Sequence, residues 1–294
     1  MKKATQLFSD PLGLDRPQIL SLEVVPLKGA GHDYRIAAVL LGTQYGFPRS
    51  RFGLAWDPSS SKPAAQAREY GPPSSRCQSA IGRPIVIAEV AKTFILLIER
   101  YDRFSGADGH VHRIHQEDFC QALGRPPEKK YACDGGPPFA DCFNLLRTCS
   151  TVPALDVIAL LDAAIFNVVV GNADAHGKNF SILYRGGAPR LAPLYDLLCT
   201  TSYRSLSKSF AMKLGKRETL GELDAKGWGK FALDAGMSWP FVRQRVRHIV
   251  GLVQAKIKSV VAEFASLDLD QAVVGDLAVL IRERAAACET TLTK

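Results

Sequence analysis

The chain has 294 residues, 47% hydrophobic and 22% charged, enough apolar material for a large buried core in one two-lobed unit or two domains. Its 37 Lys and Arg against 29 Asp and Glu leave a formal charge of +8, which permits weak attraction to nucleic acid, nucleotide or an acidic partner but specifies none. The seven cysteines form no Cys-x-x-Cys pair and are odd in number, so reduced thiols are expected rather than a disulfide framework. No apolar run reaches the roughly 20 residues of a membrane span, and no apolar stretch follows Lys2-Lys3 as a signal peptide requires. A cytoplasmic protein without membrane contact is the expectation.

Residues 1–84 carry few structural signals. Residues 35–41 suit a short strand and a short helix equally. Residues 57–79 are dense in Pro, Ser and Gly and are expected to be loop or disordered. From residue 84 the signals sharpen. Residues 85–90 and 93–99 are short, β-branched and apolar, as strands are. Short helices are expected over 117–123 and 139–149. Residues 154–170 place Leu155, Ile158, Leu161, Ile165, Phe166 and Val169 at core spacings, with Pro153 suited to the first turn, and predict a mostly buried helix. Strands at 180–184 and 189–194 flank a turn at 185–188, forming a hairpin. The remainder reads as helical, with 239–264 the longest candidate.

The helix over 154–170 runs directly into Gly171-Asn172-Ala173-Asp174-Ala175-His176-Gly177-Lys178-Asn179. Asp174 precedes Asn179 by five residues, and Asp196 lies beyond the hairpin. Protein kinases use this order for a catalytic-loop Asp that orients the substrate hydroxyl, a catalytic-loop Asn, and a metal-binding Asp. The hairpin would bring Asn179 and Asp196 to one end of a ribbon, as a shared metal requires. The competing structural reading is that Asn172 and Asp174 only make side-chain turns to the backbone. Lys178 has the charge to contact a transferred phosphate. His176 reads as a structural hydrogen-bonder. His110, His112 and His115 have a spacing that zinc accepts, but no fourth ligand or general base accompanies them, and a zinc hydrolase is the poorer rival. Glu99 to Arg103 ends an apolar strand in a polar connector, where two-lobed kinases hold adenine, although alternating charges also simply end strands.

Taken together, residues 98–103, 113–124, 134–137, 166–167 with 171–180, and 191–198 resemble the HipA family of serine/threonine kinases, the toxin halves of bacterial toxin–antitoxin pairs. The resemblance covers about residues 85–260, mainly the C-terminal lobe. It implies an α/β, two-lobed protein-kinase-like fold, with a diverged or incomplete N-lobe in 1–84 and a mainly helical C-terminal domain in 85–294. By resemblance Asp174 is the catalytic base and Asn179 and Asp196 bind Mg²⁺. Glu99 and Tyr101 meet the adenine of ATP through their backbones, and Asp102 meets the ribose. The family phosphorylates a Ser or Thr of a protein such as an aminoacyl-tRNA synthetase. Its partner is a small DNA-binding antitoxin, so any contact of the kinase with nucleic acid is weak or indirect.

The departures lie upstream. The family's Gly-x-Gln-x-Lys-like phosphate loop and the strand Lys that follows it have no match; Lys28 and Lys62 are the only lysines between Lys3 and Lys92. An N-lobe that is truncated, diverged or frame-altered is implied. The alternative reading is a catalytically inactive relative that binds an antitoxin or another partner.

Overall fold

Three antiparallel strands, β1 (Leu22–Pro26), β2 (Ile85–Val90) and β3 (Thr93–Glu99), form a sheet in the order β1-β3-β2. The computed structural model describes the backbone of these strands, residues 101–265 except 106 and 109, and residues 271–293. Strands β2 and β3 fall where the sequence predicts them. Strand β1 is an addition: Leu-Glu-Val-Val-Pro has strand-forming valines, and pairing with β3 from Leu22↔Glu99 to Pro26↔Ile95 supplies the partner that one-dimensional reading lacks. Residues 35–41 and 57–79, Lys28 and Lys62 lie outside the described residues.

A small hairpin of β4 (Arg103–Ser105) and β5 (Val111–Arg113) leads to the second three-stranded sheet. That sheet joins β6 (Gln116–Asp118), β7 (Ser181–Arg185) and β8 (Ala188–Leu191) in sequence order. The helix expected over 117–123 is therefore shortened to α1 (Phe119–Ala122). Asp118 ends β6 opposite Ser181 and at the same time caps the helix: its side chain accepts from Gln121 N–H, and Gln121 Oε1 accepts from Asp118 N–H. A capping box thus fixes the start of the helix two residues later than composition suggests. Strands β7 and β8 are joined by Gly186-Gly187, both at positive φ (58° and 78°), which is the two-residue turn whose twist suits a tight hairpin.

Five further α-helices lie among the described residues. They are α2 (Phe139–Cys149), α3 (Pro153–Val170), α4 (Ala225–Asp234), α5 (Trp239–Phe264) and α6 (Gln271–Thr290). Helix α3 is the axle, packed against α2, α5, α6 and β8. It is long and apolar enough to cross a membrane, but 67% of it is buried in the fold, as in a core helix. Leu160, Leu161 and Ile165 are wholly buried there, each contributing about 1.5–3 kcal/mol by leaving water. Leu155, expected to point inward, is 60% exposed, because the core-facing stripe of the first turn runs through Asp156 and Val157 instead. Phe139, Phe143, Trp228 and Phe231 interlock beside it. The Trp228 indole N–H donates to Thr291 Oγ1 at 2.8 Å and ties α4 to the segment after α6.

The polar ends of α3 aim it. At its start, buried Asp156 accepts from Ser150 Oγ (2.6 Å), from Leu191 N–H (2.8 Å) and from both forks of Arg190. At its end the chain turns left-handed at Gly171 (φ 83°). Asn172 N–H bonds Asn167 O at 2.8 Å and Gly171 N–H bonds Val168 O at 3.3 Å. This pair of bonds is a Schellman ending, which closes off orphan helix carbonyls and releases the chain at a fixed angle.

Candidate active site

The site loop begins at that release point. Asn172 is its hub: its Nδ2 donates to Asn167 Oδ1 and to the backbone carbonyl of Asp196, each at 3.0 Å, and its Oδ1 accepts from Asp174 N–H at 3.2 Å. One amide side chain therefore spaces the two aspartates of the motif. The expected side-chain turn from Asn172 is present, and the same residue also reaches across to the strand exit.

Asn179 sits in a short turn where its Oδ1 accepts from His176 N–H at 3.0 Å. Its Nδ2 donates to Asp196 Oδ2 at 2.6 Å. The hairpin has thus brought residues 17 apart in sequence into contact, as their spacing predicts. Asp196 is exposed and adopts φ 56°, a conformation that non-glycine residues seldom hold. Such backbone strain persists only where the surroundings impose it, and it gathers at functional sites. Here the surroundings are the Asn172 bond to its carbonyl and the Asn179 bond to its carboxylate. Tyr195, next door, donates its hydroxyl to Lys178 O at 2.6 Å and pairs with Ser181 Oγ at 2.7 Å, pinning the strand exit to the loop. Burial pushes that phenol well above its usual range.

The carboxylate of Asp174 accepts no hydrogen bond and forms no ion pair among the described residues. Asp174 lines a cavity of about 440 Å³ together with Tyr131, Ala132, Thr200, Leu206 and Phe210. The cavity wall is continuous through backbone bonds: Ala211 N–H to Ala173 O at 2.8 Å and Ala132 N–H to Ala211 O at 2.9 Å. Thr200 supports the loop from below, with Oγ1 accepting from Ala173 N–H and donating to Gly171 O. At the rim Lys213 and Glu218 pair at 2.5 Å.

His176 is buried, its ring edge-on to Tyr131 at 5.3 Å, and its Nδ1 has no hydrogen-bond partner among the described residues. Burial holds its pKa below the ordinary value of 6.5, and the nearby Asp174 charge pulls the other way. Lys178 is half-buried; among the described residues its ammonium forms no ion pair.

The connector residues separate. Glu99 ends β3 opposite Leu22. Tyr101 is buried, with its ring 6.1 Å from that of Tyr195. Asp102, expected to meet the ribose, lies inside the fold. Its side chain is wholly buried, paired with Arg103 and 3.9 Å from Arg113, and its carbonyl accepts from Ile114 N–H at 2.8 Å. It presents no oxygen to solvent, because a buried carboxylate is stable only when its charge is met inside the fold. The zinc reading is also corrected. No cluster of three or more His, Cys, Asp or Glu suited to a metal exists among the described residues. His112 pairs with Asp108 and His115 stacks on Tyr184, so the three imidazoles do not converge.

Asn167, Asn172, Thr200 and Tyr195 are the supporting residues that motif reading passed over as actors. The available signal was a polar Asn167 inside the apolar run Ile165-Phe166-Asn167-Val168-Val169, where burial without a partner is costly.

Asp196 and Asn179 fit a hard dication by donor type. The exposed Asp196 carboxylate touches the buried Asn179 amide, and the two would leave most of a six-oxygen shell for phosphates and water, the pattern Mg²⁺ favours with nucleotides.

Comparison with known proteins places the fold. The chain is 46% identical over 276 residues to Y4mE of Sinorhizobium fredii, described as a candidate kinase, covering 92% of this chain and 65% of that protein. It is 29% identical over 189 residues to the serine/threonine-protein kinase toxin HipA of Shewanella oneidensis, covering 60% and 43%. The chain thus spans less than two thirds of either relative. Among solved structures, the Shewanella oneidensis HipA in complex with HipB and operator DNA superposes with a TM-score of 0.66 at 25% identity, over 72% of this chain and 53% of that one. The Helicobacter pylori proinflammatory kinase CtkA shares the fold alone, with a TM-score of 0.50 at 11% identity, over 71% and 80%. The α/β kinase-like fold with a helical C-lobe is therefore as expected, and since the family model for the HipA-like C-terminal domain matches residues 74–261, most of the sequence, the chain belongs to the HipA-like kinase family.

Proposed function

We propose that the chain is an ATP- and Mg²⁺-dependent protein serine/threonine kinase of the HipA toxin type, acting in the cytoplasm. The observation that carries this reading is the Asn172–Asn179–Asp196 hydrogen-bond frame, which fixes Asp196 and the backbone of Asp174 relative to each other while Asp174 lines a cavity. Asp174 would orient a Ser or Thr hydroxyl and accept its proton as the oxygen bonds to the γ-phosphorus and ADP departs. Asn179 and Asp196 would hold Mg²⁺, which when bound neutralises charge on the nucleotide phosphates. Lys178 would contact the transferred phosphate, and the backbones of Glu99 and Tyr101 would meet adenine. Asp102 would act on the connector from within, by fixing Arg103 and the Ile114 turn.

The protein substrate in this reading is one such as an aminoacyl-tRNA synthetase. The partner is a small DNA-binding antitoxin; a complex of a relative, HipA, with HipB and operator DNA supports the partner class. Residues 85–294 would form the catalytic domain and 1–84 a diverged N-lobe.

A second reading is favoured by one observation: the sequence has no Gly-x-Gln-x-Lys pattern ahead of residue 85. Without that phosphate grip the chain would be an inactive relative that binds an antitoxin or other partner. Transfer of labelled γ-phosphate from Mg·ATP to protein serine or threonine, compared between wild type and Asp196→Ala, separates the two. Transfer by wild type that Asp196→Ala abolishes supports the kinase. A folded wild type with no transfer supports the inactive relative.

A further inference from the structure

Helix α6 delivers a cation to the root of the site loop. Arg284 Nη2 donates to Val168 O at 2.7 Å, in the last turn of α3. That same carbonyl accepts Gly171 N–H, so the guanidinium and the Schellman ending share one acceptor. Arg284 Nε is buried and has no hydrogen-bond partner among the described residues. No acidic side chain pairs with Arg284 among them either. Burial lowers its pKa, and the neighbours that favour its charge are the thiols of Cys199 and Cys288. The remaining compensation is the negative end of the α3 dipole, on whose carbonyls it rests.

Desolvating an arginine against a helix end is costly as a way to stabilise a fold. Its position gives the reason. A Cβ on Gly171 would lie 2.8 Å from Arg284 Nε and 2.2 Å from Thr201 Oγ1. Gly171 is therefore clasped between α6 on one side and the 200–201 turn on the other. Thr201 N–H and Thr200 Oγ1 both bond Gly171 O, and Thr200 Oγ1 also receives Ala173 N–H. The residue after that is Asp174.

We infer that Arg284 is a positioning residue, which sets the exit angle of the site loop and hence the place of Asp174. Helix α6 lies beyond the segment matched by the family, so this clamp is carried by the C-terminal part of this chain. The effect on the loop stands independently of the proposed activity; the kinetic consequence rests on the kinase reading.

Hydrogen exchange of the full chain tests the clamp without requiring catalysis. In Arg284→Met, the amides of residues 171–174 are expected to exchange about tenfold faster or more, as loss of a charge-assisted hydrogen bond implies, while those of α4 keep wild-type protection. Arg284→Lys is expected to restore part of that protection and serves as the milder variant if Arg284→Met does not fold. In wild type with measurable phosphate transfer, Arg284→Met should lower kcat about tenfold with the KM for ATP little changed, and added guanidinium should recover part of the loss. Unchanged exchange at 171–174, or acceleration spread evenly over α4 as well, would overturn the assignment. If wild type transfers no phosphate but the local exchange result holds, the clamp stands and the kinase reading fails.

Discussion

The two ends of α3 solve the same problem with different chemistry. At the N-terminal end a carboxylate is consumed: Asp156 is buried and saturated by Ser150, Arg190 and the Leu191 amide. At the C-terminal end the structural bonds are made by amides, hydroxyls and the Arg284 cation, from Asn167, Asn172, Thr200 and α6. The Asp174 carboxylate beyond them enters no structural bond among the described residues, and Asp196 stands exposed. A buried carboxylate saturated by structural bonds holds the fold but is lost to a ligand. Scaffolding built without carboxylates leaves the negative charge of the loop outside the structural bonds.

That contrast can be broken by exchanging roles. The largest expected effect is Asp174→Asn, which should lower phosphate transfer about 10²–10⁴-fold, the range for loss of a general base. Its unfolding free energy should stay within about 0.5 kcal/mol of wild type, because no structural bond is lost. Asp156→Ala should do the reverse. Denaturant titration should show a loss of about 1.5–3 kcal/mol, as when a buried carboxylate that accepts charge-assisted hydrogen bonds is removed, while the fraction that remains folded keeps its activity. A result in which Asp156→Ala spares stability would remove the distinction between the two ends.

Asn172→Ala falls between these. It deletes both donations from Nδ2 and the acceptor for Asp174 N–H, so stability should drop by about 1–3 kcal/mol and activity should fall with it. The smallest effect concerns pH. The folded state holds His176 below its ordinary pKa of 6.5 because the ring is buried. The unfolded chain therefore takes up the proton more readily. The contribution of the neutral ring is fully present above about pH 6.5 and is lost as pH falls through the folded value. Melting curves across this range should show a steeper acid loss of Tm in wild type than in His176→Phe.

Much of the site was legible in the sequence because its spacing is local. Five residues from Asp174 to Asn179 make one loop, and a Gly-Gly hairpin returns the chain to Asp196. The helices over 139–149, 153–170 and 239–264 were equally readable from apolar period and proline position. What escaped depends on contacts between distant segments. Strand β1 needs β3 to exist as a strand, and Asp118 had to belong to a sheet before it could cap a helix. The inward pairing of Asp102 with Arg103, beside Arg113, also depends on folded contacts. Arg284 is one basic residue in an ordinary helix until folding sets it on Val168.

The most direct measurement is calorimetric titration of Mg²⁺·ATP into wild type, Asp196→Ala and Asp156→Ala. Saturable binding by wild type, its loss in Asp196→Ala, and its retention in the folded fraction of Asp156→Ala are expected. Equal binding by wild type and Asp196→Ala, or no binding by a folded wild type, would contradict the kinase reading.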